Sequence, residues 1–226
     1  MQTHEHSHRK KLTKVGEGKL IDPTLYRSLV GSLRYLTITR PDIVYGVGPV
    51  SRYMETPKES RYMETPKELH WCPAKKIVRY IKGTLDYGMF YSYGDEATLY
   101  GYSDSDSDWA GAQHERKSTS GYVFYLGSTA ITWSSKKQPV VALSSCEVEY
   151  IAASSAVCEA LWLRNLLKET GHVQEGPTTI YVDNMSAIKL AKNPVQHGRS
   201  KHIDTRFHFL RDQVKQGTIT HHTEVL

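Results

Sequence analysis

The chain has 226 residues, of which 39% are hydrophobic, enough for one or two domains with a real core. It has no run of 18 apolar residues and no apolar region at its basic N-terminus, so we expect neither a membrane span nor a secretory signal. The three cysteines show no paired spacing, which argues against a disulfide partner and favours a reducing, intracellular location.

The net charge of +5 is unevenly distributed along the chain. Residues 1–90 hold 16 Lys and Arg against 9 Asp and Glu, a balance of +7, whereas residues 91–226 hold 13 against 15, a balance of −2. A basic first part favours a polyanionic partner, and nucleic acid is the commonest one. Ordinary surface lysine explains the same imbalance equally well.

The first part of the chain predicts a small helical module behind a polar, disordered tail at residues 1–20. Apolar residues at helical spacing predict three helices, at residues 26–39, 43–50 and 71–82. Asp42 is expected to cap the second helix. In the third helix, Ile77, Val78 and Ile81 are expected to face inward.

A repeat interrupts this module. Residues 51–59 and 60–68 both read SRYMETPKE. Two short copies do not make a solenoid, which needs more and longer repeats that stack. Each copy contains a proline, which opposes a continuous helix, so we expect one copy to bulge into a loop.

From residue 91 the pattern becomes mixed α/β. Val140–Leu143 is expected to extend a sheet edge, and Cys158, inside an apolar helix pattern, to be a small core residue. The predicted elements are strands at 98–103, 121–126 and 130–134, a long helix at 144–170, a strand at 179–182, helices from 187 and from 201, and a strand at 218–222. This order predicts a mixed sheet with flanking helices.

Acidic side chains lie at the ends of three of these elements. Asp183 follows one strand, Asp104 ends another with Asp106 at the same parity, and Glu147 or Glu149 lies in the opening turns of the long helix. Converging carboxylates repel one another unless cations bind between them. Such oxygen ligands select Mg²⁺ or Mn²⁺, and two ions can activate a water and hold the leaving oxygen of a phosphodiester. Three unrelated surface acids are an equally good explanation of the spacing.

Longer segments carry a family resemblance. YSDSDSDWAG, RKSTSGYVF, ALSSCEVEYIAA, ALWLRNLL, TTIYVDNMSAI and KHIDTRFHFLRD resemble the ribonuclease H domain of copia-type retrotransposon polyproteins. LYRSLVGSLRYLTITRPDI and AKKIVRYIKGTLDYG resemble the end of the reverse transcriptase just upstream. The resemblance implies a ribonuclease H-like fold with a five-stranded sheet. It also implies hydrolysis of the RNA strand of RNA–DNA hybrids with two divalent ions, in a cytoplasmic virus-like particle or the nucleus.

The same resemblance implies the domain organisation. Residues 1–20 form the tail, 21–90 a thumb- or connection-like helical module, and 91–226 a ribonuclease H-like domain lacking its final helix. In the family, that helix carries a fourth acidic residue. We therefore expect this chain to bind hybrid and to cleave it poorly or not at all. The alternative is a catalytically inactive, nucleic-acid-binding remnant of the polyprotein.

The helix carboxylate has two candidates. Ser144 to Glu147 reads as a capping box, in which Glu147 folds back on the N-cap amide. Glu149, followed by Tyr, Ile and Ala, resembles the superfamily pattern and is favoured as the metal ligand. The two lie about 200° apart around a helix, so both cannot face the metals.

The other two positions also follow from the resemblance. Asp183 matches the strand-end aspartate of the family. The family pattern YSDSDWAG carries an extra Ser-Asp here. Counting from the strand favours Asp104, whereas counting back from Trp109 gives Asp106. Core packing fixes the position of the strand, whereas the loop after it can accommodate the two extra residues, so we favour Asp104.

Residues around this site are expected to bind the hybrid by its shape and its phosphates. The stretch from Lys189 to Lys215 has seven basic and two acidic residues, a balance of +5. Simple solubility of the hairpin explains the polar run at 116–120 equally well. The predicted nucleic-acid-binding residues are Arg116, Lys117, Ser118, Thr119, Ser120, Asn184, Ser186, Arg199, Lys201, His202 and Arg206.

Overall fold

The computed structural model describes residues 19–51, 68–92, 97–106, 117–185, 187–188 and 204–222. The chain divides into two compact units, the first with the helices up to Gly88 and the second with the sheet that follows Met89. Among the described residues, no helix is long and apolar enough to cross a bilayer. Residues 52–67, which hold all but the first and last positions of the two repeat copies, lie outside the described residues, as does most of the predicted tail.

The first unit is helical in its described part. It comprises α1 (Pro23–Leu36), a 3₁₀ turn (Pro41–Ile43), α2 (Val44–Ser51) and α3 (Glu68–Gly83). Asp22 caps α1 by accepting the Thr24 amide at 2.8 Å, and Pro23 takes the first helical position, where no amide donor is needed. The core of this unit is formed by Tyr26, Val30, Leu33, Ile43, Val47, Val50 and Ala74.

Two details of the predicted module are wrong. Val78 is 40% exposed, and Ala74 is buried instead, because the inward face of α3 runs through Ala74, Ile77 and Ile81. Asp42 does not cap α2. Its carboxylate pairs with the Arg40 guanidinium at 2.6 Å, and a 3₁₀ turn leads into the helix.

The second unit is built on a five-stranded mixed sheet. Its strands are β1 (Leu99–Asp106), β2 (Thr119–Leu126), β3 (Thr129–Lys137), β4 (Thr178–Val182) and β5 (Ile219–His222), in the order β3-β2-β1-β4-β5. The first three strands pair antiparallel, whereas β4 is parallel to β1 and β5 is parallel to β4. The helices are α4 (Ser145–Glu169), between β3 and β4, and α5 (Asp204–Lys215), before β5. The predicted fold class is confirmed.

One face of the sheet is buried against the helices. In β1 the alternate residues Leu99, Gly101 and Ser103 are buried on this face. Gly101 is required there, because a Cβ at this position would lie 2.5 Å from the Phe124 ring. The shared core contains Leu99, Phe124, Tyr150, Ile151, Ala153, Ala156, Val157, Ala160, Leu163, Leu167, Ile180, Val182, Ile188, Leu210 and Ile219.

The opposite face of the sheet carries half-buried tyrosines. Tyr100 stacks on Tyr125 with ring centroids 5.2 Å apart, and Tyr102 stacks on Tyr181 at 4.9 Å. These pairs follow the strand register, in which Tyr100 lies opposite Tyr125 and Tyr102 opposite Tyr181. The aromatic pairs therefore tie β1 to both of its neighbours.

Two further predictions in this unit are wrong. Val140–Leu143 forms no strand. Val140 packs against the core while Leu143 is 66% exposed, so the segment leaves the sheet edge to reach the start of α4. Cys158 is exposed, because the buried face of α4 passes through its neighbours Val157 and Ala160.

Candidate metal centre

The sheet topology brings two strand ends together. Ser103 in β1 pairs with Val182 in the parallel strand β4. Asp104 and Asp183 are therefore the next residues on two neighbouring strands that point the same way. The carboxyl ends of adjacent parallel strands form one edge of a sheet, where ligands commonly bind.

The long helix α4 supplies a third carboxylate at this edge. Ser144 caps the helix by accepting the Glu147 amide at 3.2 Å, which places Glu149 within the first two turns. Asp104, Glu149 and Asp183 each offer a carboxylate oxygen, and these atoms all lie within 4.8 Å of one another. Asp104 and Asp183 are exposed, whereas Glu149 is 7% exposed. The centre is thus anchored on one buried and two accessible carboxylates.

The position of Glu149 is electrostatically unfavourable for a bare carboxylate. Burial, together with the charges of Asp183 and Asp104, raises its pKa to about 7, while the hydrogen bond from Ser105 acts in the opposite direction. Its Oε2 atom is buried and accepts no hydrogen bond from the described residues. Three converging carboxylates with an unpartnered buried oxygen fit a hard divalent cation.

Glu147, the other helix candidate, lies in a different environment. Its carboxylate accepts the Leu143 amide at 2.6 Å, so it closes the N-terminus of α4. The sequence predicted that Glu147 would fold back onto the Ser144 amide. In the structure it folds back onto the amide of the preceding residue, Leu143. Glu147 is not part of the three-carboxylate group.

Asp106 is the other alternative for the first position. It belongs to the last pair of β1, opposite Thr119, and is exposed. Among the described residues, the group of three carboxylates contains Asp104 and does not contain Asp106. The choice between the two as metal ligand stays a prediction, and the geometry favours Asp104.

The predicted nucleic-acid contacts lie beside or in β2, directly after β4, or outside the described residues. Lys117 is exposed beside β2, whereas Ser118 is only 5% exposed. The Asn184 side chain accepts the Ala187 amide at 3.2 Å and starts the helical turn after Asp183. Thr119 and Ser120 lie in β2. Arg116, Ser186, Arg199, Lys201 and His202 lie outside the described residues, as does the side chain of Arg206.

Two side chains next to the centre were missed from the sequence. Ser105 donates its hydroxyl to Glu149 Oε1 at 2.5 Å. Gln138, 2% exposed, donates to Ser120 Oγ at 2.8 Å and to the Val148 carbonyl at 2.9 Å. Strand alternation could have identified Ser105, because Leu99 and Ser103 already place the odd positions of β1 on the helix face.

A basic strand end flanks the acidic group. Lys136 and Lys137 end β3, and Lys137 lies opposite Thr119, which in turn lies opposite Asp106. Two strand spacings, about 10 Å, therefore separate these lysines from the end of β1. Lys137 Nζ donates to the Lys117 carbonyl at 2.6 Å, which holds the two basic residues at one edge.

No protein-family model matches the chain. It is 44% identical over 209 residues, 92% of its length, to the retrovirus-related Pol polyprotein from transposon RE2 of Arabidopsis thaliana. It is 43% identical over 190 residues, 84% of its length, to the corresponding polyprotein from transposon TNT 1-94 of Nicotiana tabacum. The chain belongs to the retrovirus-related Pol polyproteins of plant transposons. It spans 14% and 13% of the length of these two Pol polyproteins.

A solved structure supports the fold assignment of this Pol polyprotein chain. The structure of a foamy viral protease-reverse transcriptase in complex with double-stranded DNA superimposes on this chain with a TM-score of 0.56 and 15% identity. The match covers 94% of this chain and 33% of the foamy viral chain. At that identity the similarity concerns the fold alone. The ribonuclease H-like sheet preceded by helices, predicted from the sequence, is confirmed.

Proposed function

We propose that the sheet unit is a ribonuclease H-type endonuclease that hydrolyses the RNA strand of RNA–DNA hybrids with two Mg²⁺ or Mn²⁺ ions. It would act as part of the reverse transcriptase of a copia-type retrotransposon polyprotein, with the helical unit as the reverse transcriptase end that precedes it. The observation that carries the proposal is the convergence of Asp104, Glu149 and Asp183, whose carboxylate oxygens lie within 4.8 Å of one another.

The three carboxylates would have different tasks. Glu149 is buried and hydrogen-bonded, so it would hold its cation in a fixed place. Asp104 and Asp183 are exposed, so their oxygens can share a cation with a phosphate group that approaches from solvent. Divalent ions bound there would supply an activated water and neutralise charge on the phosphate.

The charge pattern supports a polyanionic substrate. The three carboxylates and the neighbouring Asp106 would repel a phosphate backbone without a cation and without nearby basic groups. Lys117, Lys136 and Lys137 provide such groups at the ends of β2 and β3. Phosphate contacts from these lysines would orient a duplex across the edge without reading its sequence. Hydroxyls of the RNA strand would distinguish a hybrid from DNA.

A cleavage assay with labelled substrates tests the proposal. The intact chain is incubated with Mn²⁺ and an RNA–DNA hybrid, and in parallel with double-stranded DNA of the same sequence. We expect metal-dependent products in low yield, and from the RNA strand only. Asp183→Asn should abolish them. Asp212→Asn, which removes an exposed carboxylate on α5, should not.

The outcomes separate the candidate functions. Hybrid-specific cleavage that is lost in Asp183→Asn supports the endonuclease. Hybrid binding without cleavage, unchanged in Asp183→Asn, supports the alternative of an inactive nucleic-acid-binding remnant. Cleavage that survives Asp183→Asn would show that the acidic group is not the catalytic centre.

A further inference from the structure

Ser105 contacts two of the three carboxylates. Its backbone amide donates to Asp104 Oδ1 at 2.6 Å, and its hydroxyl donates to Glu149 Oε1 at 2.5 Å. The two acceptors come from different elements, the strand β1 and the helix α4. One residue therefore links the strand-derived carboxylate to the helix-derived one.

The hydroxyl donor is held in place from both sides. Ser105 lies in β1 opposite Ser120 of β2. The buried Gln138 joins Ser120 to the first turn of α4, because its amide donates both to Ser120 Oγ and to the carbonyl of Val148. The strands and the helix turn that carries Glu149 are thus fixed relative to one another on each side of the hydrogen bond.

This hydrogen bond also determines which oxygen of Glu149 is available. Oε1 is used by Ser105, whereas Oε2 is buried and accepts no hydrogen bond from the described residues. A donor on one oxygen restricts rotation of the carboxylate. Without it, repulsion from Asp104 and Asp183 would favour orientations that point away from the group.

We propose that Ser105 is a positioning residue for the metal centre, whose hydroxyl orients the Glu149 carboxylate and whose amide holds that of Asp104. The inference rests on the proposed function, because it requires Glu149 to be a metal ligand. Residues that hydrogen-bond to metal ligands typically contribute 10- to 100-fold to metal affinity. Loss of the Ser105 hydroxyl should therefore weaken binding of Mn²⁺ by about 10-fold or more.

The chain offers a matched control on the same strand. Ser103 is 3% exposed on the same face of β1, two residues away, and its hydroxyl makes no hydrogen bond among the described residues. Ser103→Ala removes the same atom as Ser105→Ala from the same strand. It should leave Mn²⁺ affinity within about 2-fold of wild type, because no metal ligand depends on that hydroxyl.

The test is a calorimetric titration of the intact chain with Mn²⁺ alone, at one pH and ionic strength. Four substitutions are compared with wild type: Ser105→Ala, Ser105→Thr, Ser105→Val and Ser103→Ala. Ser105→Thr keeps the hydroxyl and should retain affinity. Ser105→Val places a side chain of the same shape as threonine but without the hydroxyl, so it should lose as much affinity as Ser105→Ala. Thr and Val both suit a strand, so this pair gives an answer even where Ser105→Ala unfolds. Circular dichroism checks that each variant is folded.

Each outcome bears on a different statement. Weak binding in Ser105→Ala and Ser105→Val, with retention in Ser105→Thr and Ser103→Ala, supports the role of the hydroxyl. Equal affinity of Ser105→Thr and Ser105→Val overturns it while leaving the metal centre intact. Equal losses in Ser103→Ala and Ser105→Ala overturn it too, because they indicate a general packing effect. If wild type binds no Mn²⁺, the proposed function fails together with the inference.

Discussion

Glu149→Gln should stabilise the metal-free protein at alkaline pH. The pKa of Glu149 is raised from its ordinary value of 4.5 to about 7 because the carboxyl is buried beside Asp183 and Asp104. The folded state therefore holds a proton that the unfolded chain releases above pH 4.5. The favourable contribution of this protonation is complete below pH 4.5 and is lost as the pH rises through about 7. Gln has no charge to bury, so the stability of the Glu149→Gln protein lacks this pH dependence.

The magnitude follows from the size of the shift. A difference of about 2.5 between the two pKa values corresponds to about 3 kcal/mol at 1.36 kcal/mol for each unit. Glu149 is 7% exposed, so solvent screening reduces this figure little. Gln can still accept the Ser105 hydroxyl, and its amide can donate to the neighbouring aspartates. At pH 8 we expect the variant to be more stable than wild type by up to about 3 kcal/mol. At pH 5 the two should differ much less.

The assay is urea denaturation in EDTA at several pH values between 5 and 8, with unfolding monitored by circular dichroism. Glu169→Gln is the control, because it removes an exposed carboxylate from the other end of α4 and should change stability by less than about 0.5 kcal/mol at every pH. Addition of Mn²⁺ at pH 8 should stabilise wild type more than Glu149→Gln. A stability difference between wild type and Glu149→Gln that is constant from pH 5 to pH 8 would refute the electrostatic argument.

Three further predictions follow from the same geometry. Asp183→Asn should weaken Mn²⁺ binding while sparing or raising the melting temperature of the metal-free protein, since it relieves like-charge repulsion; identical titration curves for the two proteins would contradict the shared site. Hybrid affinity should fall steeply with salt, with a log–log slope of several units, and should depend little on base sequence; a salt-independent affinity measured by fluorescence anisotropy would count against phosphate contacts. Gly101→Ala should destabilise the sheet unit by about 1–3 kcal/mol, because the new Cβ would lie 2.5 Å from the Phe124 ring, whereas Gly176→Ala, with no atom within 4 Å, should have a small effect in the same denaturation assay.

Local sequence patterns were sufficient for most elements. Period-two and helical spacing identified the strands, the long helix and the acidic residues at their ends, because these patterns reflect which face of an element is buried. The capping box at Ser144 fixed the start of α4 and separated the role of Glu147 from that of Glu149. Periodicity failed at Val78 and Cys158. Each lies just beside the buried face of its helix, and the spacing of apolar residues does not show where the buried face ends.

The sequence by itself determined the strands, the helices and the short list of acidic residues, because hydrophobic spacing, caps and family motifs are properties of neighbouring residues. Only the tertiary structure decided which acids meet. β1 and β4 are distant in sequence, and their parallel pairing is what makes Asp104 and Asp183 neighbours. The packing of α4 on the sheet brings Glu149 to the same edge and places Ser105 against its carboxylate. Contacts between distant elements depend on strand order and packing, which no local pattern specifies.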